Sequence, residues 1–176
     1  MRMSTAPDRT EAAAYYFTYI DKAGEGEIIE TLDRQLGSTV ALLKGIGEEQ
    51  SQRSYAPGKW SIREVVGHVN DTERLFAFRA LWFARALDAA LPSFDQDIAM
   101  ASAGSAAVPL SRHIEEFAAV RAATVALFRN LPPDAWARRG TASGNPFSVN
   151  ALAYICAGHL EHHVRLLKER YLTAAV

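Results

Sequence analysis

Four long segments of this chain carry apolar residues at spacings of three and four, and this periodicity constrains the fold more than any other feature. Such a pattern is typical of helices that bury one face. It predicts helices over about 26–46, 61–90, 110–131 and 148–172. Neither an alternating strand pattern nor an internal repeat of roughly 20–50 residues accompanies it. The sequence therefore predicts an all-α fold, a four-helix bundle.

The second predicted helix and the connection after it carry the clearest local signals. Ser61 and Glu64 form a capping box, in which the hydroxyl and the carboxylate satisfy free amide groups at a helix start. The connection to the third helix, over 91–108, is long and carries Asp95 and Asp97. A loop of this length is uncommon in a small domain, so we expect it to fold over part of the bundle.

Length and composition are those of one ordinary globular domain. The chain has 176 residues, of which 49% are apolar and 22% are charged, so it can bury a sizeable core. We expect a single domain over 1–176, with 1–12 as a loose lead-in.

Charge and cysteine content exclude several classes of protein. Nineteen basic and twenty acidic side chains leave a net charge of −1, so no nucleic-acid partner is expected. No segment reaches the ~20 apolar residues of a membrane span, and the polar N-terminus does not resemble a signal peptide. The single cysteine, Cys156, rules out an intrachain disulfide and fits a reducing compartment. We predict a soluble, cytoplasmic protein that acts on a small molecule.

Two histidines lie on the inward stripe of the fourth predicted helix. His159 and His163 are four residues apart, so they stack on one face, where bundles ordinarily place leucine. Unpaired buried imidazoles would each cost several kcal/mol, and a shared metal ion would remove that cost. His68, on the second predicted helix, is the candidate third ligand. Three neutral nitrogens leave a coordination position open, as in catalytic sites. The alternative is that carbonyls or carboxylates satisfy these rings.

The two remaining histidines are assigned other roles. His162 points ~60° or more away from the inward stripe, so it is expected to flank the site. His113, beside the start of the third helix, is expected to be a solvated surface residue.

Two aspartates are candidate catalytic residues. Asp71 either orients an imidazole from outside the coordination sphere or pairs with Arg74 on its own helix. Asp97, like Asp95 on the same connection, either reaches the open metal position or a substrate, or caps a turn. Cys156, one turn before the histidine pair, is either a thiolate ligand or a small buried apolar residue.

Aromatic residues are more abundant than the helix faces can bury, which predicts a homodimer. Those concerned are Tyr15, Tyr16, Phe17, Tyr19, Phe78, Trp82 and Phe83.

Several stretches together resemble the DinB-like superfamily of metalloenzymes, over about 15–172. Its most specific feature is a histidine, His68, shortly after a Trp-Ser-Ile helix start, combined with His-x-x-x-His near the C-terminus. The stretches that carry the resemblance are 55–74, Phe78-Arg79-Ala80, 92–97, Gly158-His159-Leu-Glu-His162-His163 and 169–172. One departure is Leu160-Glu161, where Glu-Leu would be expected.

The resemblance implies a four-helix bundle, often homodimeric, with a zinc or nickel ion held by His68, His159 and His163. Members with assigned chemistry resemble S-transferases that use a low-molecular-weight thiol such as bacillithiol or mycothiol, and a related branch isomerises maleylpyruvate. Thiol transfer to a small electrophile is therefore the predicted function. One alternative is metal-dependent hydrolysis of an ester or amide with Asp97 or Asp71 as the base. The other is a non-catalytic metal-binding stress-response protein.

Overall fold

The structure is a computed structural model that describes residues 5–173, and helices dominate this part of the chain. The helices are α1 (Phe17–Ile20), α2 (Ile28–Lys44), α3 (Glu48–Ser51), α4 (Ile62–Ala84), α5 (Gln96–Ala103), α6 (Leu110–Arg129) and α7 (Val149–Leu166). The strands are β1 (Arg139–Ala142) and β2 (Asn145–Ser148), and single 3-10 or π turns cover Ala14–Tyr16, Ser105–Ala107, Pro133–Ala137 and Leu167–Tyr171.

The four long helices α2, α4, α6 and α7 form the predicted bundle. Both α2 and α4 pack against α6 and against α7, so α2 and α4, which follow one another as long helices, lie diagonally opposite each other. Large side chains that are fully buried fill the space between them. Examples are Leu32, Phe83, Phe117, Phe128 and Leu152.

Helix α4 begins as predicted and ends earlier. Ser61 Oγ accepts the amide of Glu64, and the Glu64 carboxylate accepts the amide of Ser61, which completes the capping box. The helix ends at Ala84 because Ala86 has a positive φ of 56°. The Leu87 amide then donates to the Trp82 carbonyl, a hydrogen bond of the Schellman motif. Glycine or asparagine is usual at this left-handed position. Because the residue here is alanine, the sequence does not reveal that the helix ends at this point.

The segment between α4 and α6 is not the irregular loop that its composition predicts. It contains α5 and a 3-10 turn over Ser105–Ala107. Asp95 caps α5, since its Oδ1 accepts the amides of Asp97 and Ile98. Of the two roles considered for Asp95, the structure therefore shows the cap.

A short hairpin, which the sequence did not predict, precedes α7. Strands β1 and β2 pair antiparallel, and the turn between them has positive φ at both Ser143 (53°) and Gly144 (71°), as in type I′ turns. Leu91 adds to the edge of β1 through hydrogen bonds with Thr141 and Ser143. The hairpin therefore holds the segment after α4 close to the start of α7.

The loose lead-in over 1–12 stays a prediction, and residues 1–4 lie outside the described residues. The end of this segment contacts the start of α7. Ser148 donates its amide to the Glu11 carbonyl and its hydroxyl to the Glu11 carboxylate. Ala12 is buried and pairs with Phe147. This segment leads into the aromatic stretch, where α1 packs against α7.

A buried ion pair links three of the long helices. The Nε and Nη2 atoms of Arg121 on α6 each donate to the Glu73 carboxylate of α4 at 2.7 Å. Nη1 of Arg121 donates to Gln35 of α2. Because both charges are buried and paired, loss of one partner would leave the other uncompensated in the core.

None of the helices within residues 5–173 is long and apolar enough to span a bilayer. The cytoplasmic location stays a prediction.

Exposed apolar residues remain along the outer side of α4 and the segment after it, and on this basis we propose a homodimer. Phe78 is 48% exposed, and Leu87, Phe94 and Ile98 are also exposed. Patches of this kind often mark interfaces. Light scattering at micromolar concentration should give twice the 19.3 kDa mass of the chain, and Phe78→Asp should shift it towards one chain. A wild-type mass of one chain would contradict the proposal.

Candidate metal centre

Three histidine rings meet between α4 and α7, and we call them the three-histidine cluster. His159 Nε2 lies 3.2 Å from His68 Nε2 and 3.2 Å from His163 Nε2. All three residues are buried. Within residues 5–173, this is the one group of three or more His, Cys, Asp or Glu side chains close enough to share a metal ion. The structure thus brings together the histidines that the sequence singled out.

Local geometry on two helices produces this convergence. His159 and His163 are one turn apart on α7, a helix whose residues from Val149 to Leu160 are buried with one exception. His68 lies in the first half of α4, on the side that packs against α7. The cluster therefore depends on a local spacing and on the contact between two long helices.

Proton counting shows that the rings cannot satisfy one another. Each neutral imidazole has one N–H donor and one lone pair. His159 Nε2 faces two ring nitrogens at once, yet it can donate to only one of them or accept from only one. A cation between the three Nε2 atoms would use all three lone pairs.

The donor set and its spacing fit a divalent transition metal. Imidazole nitrogen suits zinc, nickel, copper and iron. Tetrahedral zinc with Zn–N bonds of 2.0–2.1 Å requires ligand nitrogens about 3.3 Å apart, and the two Nε2 separations are 3.2 Å. Small ring movements would thus suffice to bind an ion.

Burial keeps these imidazoles neutral. Desolvation, with a smaller contribution from His162, lowers the pKa of His68 to about 4. Desolvation, followed by the charges of His68 and His162, lowers the pKa of His163 to about 3. The pKa of His159 falls well below its ordinary value for the same main reason. At neutral pH the lone pairs are therefore free for a metal.

These lowered pKa values predict that the metal-free protein loses stability in acid. Below the ordinary pKa of 6.5 the unfolded chain binds protons that the folded histidines do not, so stability falls with falling pH until the folded pKa values are reached. Each histidine contributes up to about 1.4 kcal/mol per pH unit across that window. Urea unfolding between pH 7 and pH 4.5 should show a shallower pH dependence for His163→Ala. An unchanged slope would contradict this account.

Thr72, which sequence reasoning missed, orients one ring of the cluster. Its hydroxyl donates to the His68 carbonyl at 2.6 Å, and its oxygen lies 3.4 Å from His159 Nδ1. An N–H on Nδ1 directed at this oxygen leaves the Nε2 lone pair of His159 for the metal. The sequence spacing could have identified Thr72, because it lies one turn after His68 on the same helix face.

Replacing Thr72 by valine should weaken metal binding without changing its stoichiometry. Valine keeps the shape but removes the acceptor for His159 Nδ1, so affinity should fall about 10–100-fold. Thr124→Val is the matched control, since Thr124 is also buried and donates to its own helix, at Val120. Competition titration with a metal indicator measures both. Equal affinities for the two variants would contradict the role of Thr72.

Aromatic rings surround the cluster on both sides. The Trp60 ring lies 5.0 Å from the His68 ring, and the Tyr19 ring lies 5.2 Å from the His159 ring. His162 contacts His163 and Tyr19, with ring centroids 4.9 and 5.6 Å apart. His162 is half-buried and outside the cluster, which agrees with its expected flanking position.

The two candidate catalytic aspartates have different surroundings. Asp71 lies 3.8 Å from Arg74, and its pKa is raised by burial and by the charge of Glu116. Asp71 therefore belongs to a charged group between α4 and α6. Asp97 is exposed at the start of α5, and its negative charge acts to raise the pKa of His68, against the lowering by burial. Catalytic roles for both aspartates stay predictions.

His113 is a correction to the sequence analysis, because it is buried rather than solvated. It is 3% exposed, and its Nε2 lies 2.9 Å from the Ser105 carbonyl. The 3-10 turn over Ser105–Ala107 covers it, a contact that helix periodicity does not reveal. Cys156 is buried, and burial raises the pKa of its thiol. It lies outside the cluster, as expected of a small apolar residue.

Comparison with known proteins adds a family and a fold. A sequence profile of the DinB superfamily matches residues 31–167. Among solved structures, YfiT from Bacillus subtilis is similar, with a TM-score of 0.71 over 94% of this chain and 91% of YfiT, at 15% identity. YfiT is described as a probable metal-dependent hydrolase with an unusual four-helix bundle topology. No curated protein matches the chain.

Proposed function

This chain belongs to the DinB superfamily, and from that premise we propose that it is an enzyme whose divalent metal is held by His68, His159 and His163. The observation that carries the proposal is the convergence of three buried Nε2 atoms, 3.2 Å apart in two of the three pairs. Three protein ligands leave a coordination position open, as in catalytic rather than structural sites. A bound zinc or nickel ion would polarise a substrate and lower the pKa of a coordinated water or thiol.

The surrounding residues would support this chemistry. Thr72 holds His159 in the orientation that directs its Nε2 lone pair towards the other two rings. Trp60 and Tyr19 place aromatic surface beside the cluster, which would limit the access of bulk water and offer apolar contacts to a small organic substrate.

Hydrolysis of a small ester or amide is the first candidate reaction. Asp97 is the candidate base for this reaction, since it is exposed and its negative charge acts on His68, whose pKa it raises against the effect of burial. Asp97 would accept a proton from the attacking water. The description of YfiT as a probable metal-dependent hydrolase points in the same direction.

Transfer of a low-molecular-weight thiol to a small electrophile is the second candidate. The resemblance in the motifs around His68 and His159 favours it. A thiol ionises more readily than water, so coordination alone would yield the nucleophile, and Asp97 would then be dispensable.

Parallel assays of metal-loaded protein, purified without a tag, separate the candidates. Hydrolysis predicts turnover of p-nitrophenyl esters without thiol, lost in both His163→Ala and Asp97→Asn. Thiol transfer predicts turnover of a chloro-aromatic electrophile with bacillithiol, mycothiol or glutathione, lost in His163→Ala and kept in Asp97→Asn. Metal binding without turnover in any assay would contradict an enzymatic function and leave a metal-binding protein.

A further inference from the structure

Arg79 is a buried cation without a counter-charge. The residue is 2% exposed, and within residues 5–173 no carboxylate lies within ion-pair distance of its guanidinium. Nη2 donates to Ser143 Oγ at 2.8 Å and to the Pro92 carbonyl at 3.3 Å. Nε is buried and has no acceptor among the described residues. A charge in this setting is costly unless something compensates it.

The same chain contains a compensated counterpart. Arg121 is equally buried, and its Nε and Nη2 atoms donate side by side to the two oxygens of Glu73. In Arg79 the Nη2 atom donates to a hydroxyl and, at longer distance, to a carbonyl, whereas Nε has no acceptor. A carboxylate at the corresponding edge of Arg79 would accept from Nε, which has no acceptor, and would replace one of the two acceptors of Nη2.

The other neighbours of Arg79 are also uncharged. Its guanidinium carbon lies 5.9 Å from the centre of the Phe147 ring, and the Tyr16 side chain acts to raise its pKa against the effect of burial. Burial among these groups lowers the pKa of Arg79, although an arginine remains charged at neutral pH. An anion reaching this position would meet a positive charge that water screens weakly.

Both groups that accept from Nη2 belong to residues that reach the surface, since Pro92 is exposed and Ser143 is half-buried. The 3.3 Å bond to the Pro92 carbonyl is long and readily exchanged for a charged acceptor. Ser143 Oγ would remain as a neighbouring donor.

Arg79 is on the same helix as His68, about 16 Å further along at 1.5 Å per residue. Eleven residues correspond to about three turns of helix, so the two side chains lie on the same face of α4. The rings of Tyr16 and Phe76 are 6.5 Å apart, and the rings of Phe76 and His159 are 5.8 Å apart. These rings form a row of packed core contacts that runs from Tyr16 to His159 of the three-histidine cluster.

We propose that Arg79 is the anchor for a carboxylate of the substrate, which binds Nε and Nη2 in the planar geometry that arginine and carboxylate share. The substrate would be an elongated small molecule with an acid at one end and the electrophilic group at the metal. The role of Arg79 as a substrate anchor rests on the proposed function. The binding of a carboxylate to Arg79 does not depend on that function.

Calorimetric titration with 4-phenylbutyrate and with its uncharged amide tests the site. The measurements use the full chain carrying His163→Ala, so that the metal plays no part. We expect the acid to bind at least tenfold more tightly than the amide. Arg79→Met should abolish this preference, Arg79→Lys should reduce it, and Arg74→Met, on the same helix but exposed, should retain it. Equal binding of acid and amide, or a preference that survives Arg79→Met, would overturn the proposal.

Stability separates anchoring from a structural role. Removing an uncompensated buried charge is expected to leave the melting temperature of Arg79→Met unchanged or raised, whereas a structural arginine would lower it. If that variant does not fold, Ser143→Ala replaces it and should weaken binding of the acid but not of the amide. An effect of Ser143→Ala on neither ligand would contradict the geometry.

Kinetic measurements distinguish a failure of the carboxylate anchor from a failure of the proposed enzymatic function. With metal-loaded wild type, an ester bearing a distal carboxylate should show a lower KM than its doubly esterified form, and Arg79→Met should remove the difference. Acid-selective binding without turnover would contradict the enzymatic function alone. Turnover without acid preference would contradict the anchor alone.

Discussion

Replacing His163 by alanine is expected to abolish tight metal binding, whereas the same change at the adjacent His162 should leave it at one equivalent per chain. His163 Nε2 lies 3.2 Å from His159 Nε2 and points into the cluster. Neighbours on a helix differ by ~100° in direction, so His162 instead contacts Tyr19. Loss of His162 should reduce metal affinity by no more than roughly 10–100-fold.

Elemental analysis of untagged protein measures this pair of variants. Wild type and His162→Ala should each contain about one divalent transition metal ion per chain, and His68→Ala, His159→Ala and His163→Ala should contain none after dialysis. Circular dichroism verifies that all variants are folded. Retention of metal by His163→Ala together with its loss from His162→Ala would require a different ligand set.

Replacing Gly158 by alanine is expected to destabilise the protein by about 3 kcal/mol or more, at the upper end of the cost of overpacking. A Cβ atom at this position would overlap the carbonyl oxygen of Tyr19, which is backbone and cannot rotate away. Helix α1 would have to move off α7 and take the Tyr19 ring away from His159. The substitution should therefore also weaken metal binding.

Gly37 offers a matched control on α2, because nothing lies within 4 Å of a Cβ built there. Gly37→Ala should stabilise the protein by about 1 kcal/mol through helix propensity alone. Urea unfolding compares the two variants at the same pH. If Gly158→Ala is as stable as Gly37→Ala, the close packing of α1 on α7 is not a constraint on the fold.

The features that the sequence predicted well are those governed by contacts within four residues along the chain. The capping box of Ser61 and Glu64 is one of them, and it locates the start of α4 correctly. The spacing of His159 and His163 is another, since two side chains four residues apart on a helix lie on the same face. Periodicity also identified the four long helices, although Ala86 shows how an atypical residue can end one early.

Local rules gave no access to contacts between distant segments. The Arg121–Glu73 pair joins residues 48 positions apart. No sequence pattern near either residue predicts that they form an ion pair. His113 reads as a surface residue on its own helix, but the turn over Ser105–Ala107 covers it. The raised pKa of Asp71 likewise depends in part on Glu116 of α6, which is distant in sequence.

By itself, then, the sequence determined the four-helix architecture and two histidines on one face, because helix periodicity is a property of consecutive residues. Only the tertiary structure decided that His68 meets them, that Thr72 supports one ring, and that Arg79 is buried without a counter-charge. Each of these depends on which helix packs against which. The pairing of helices is determined by the burial of whole apolar faces. It can therefore be known only from the assembled bundle.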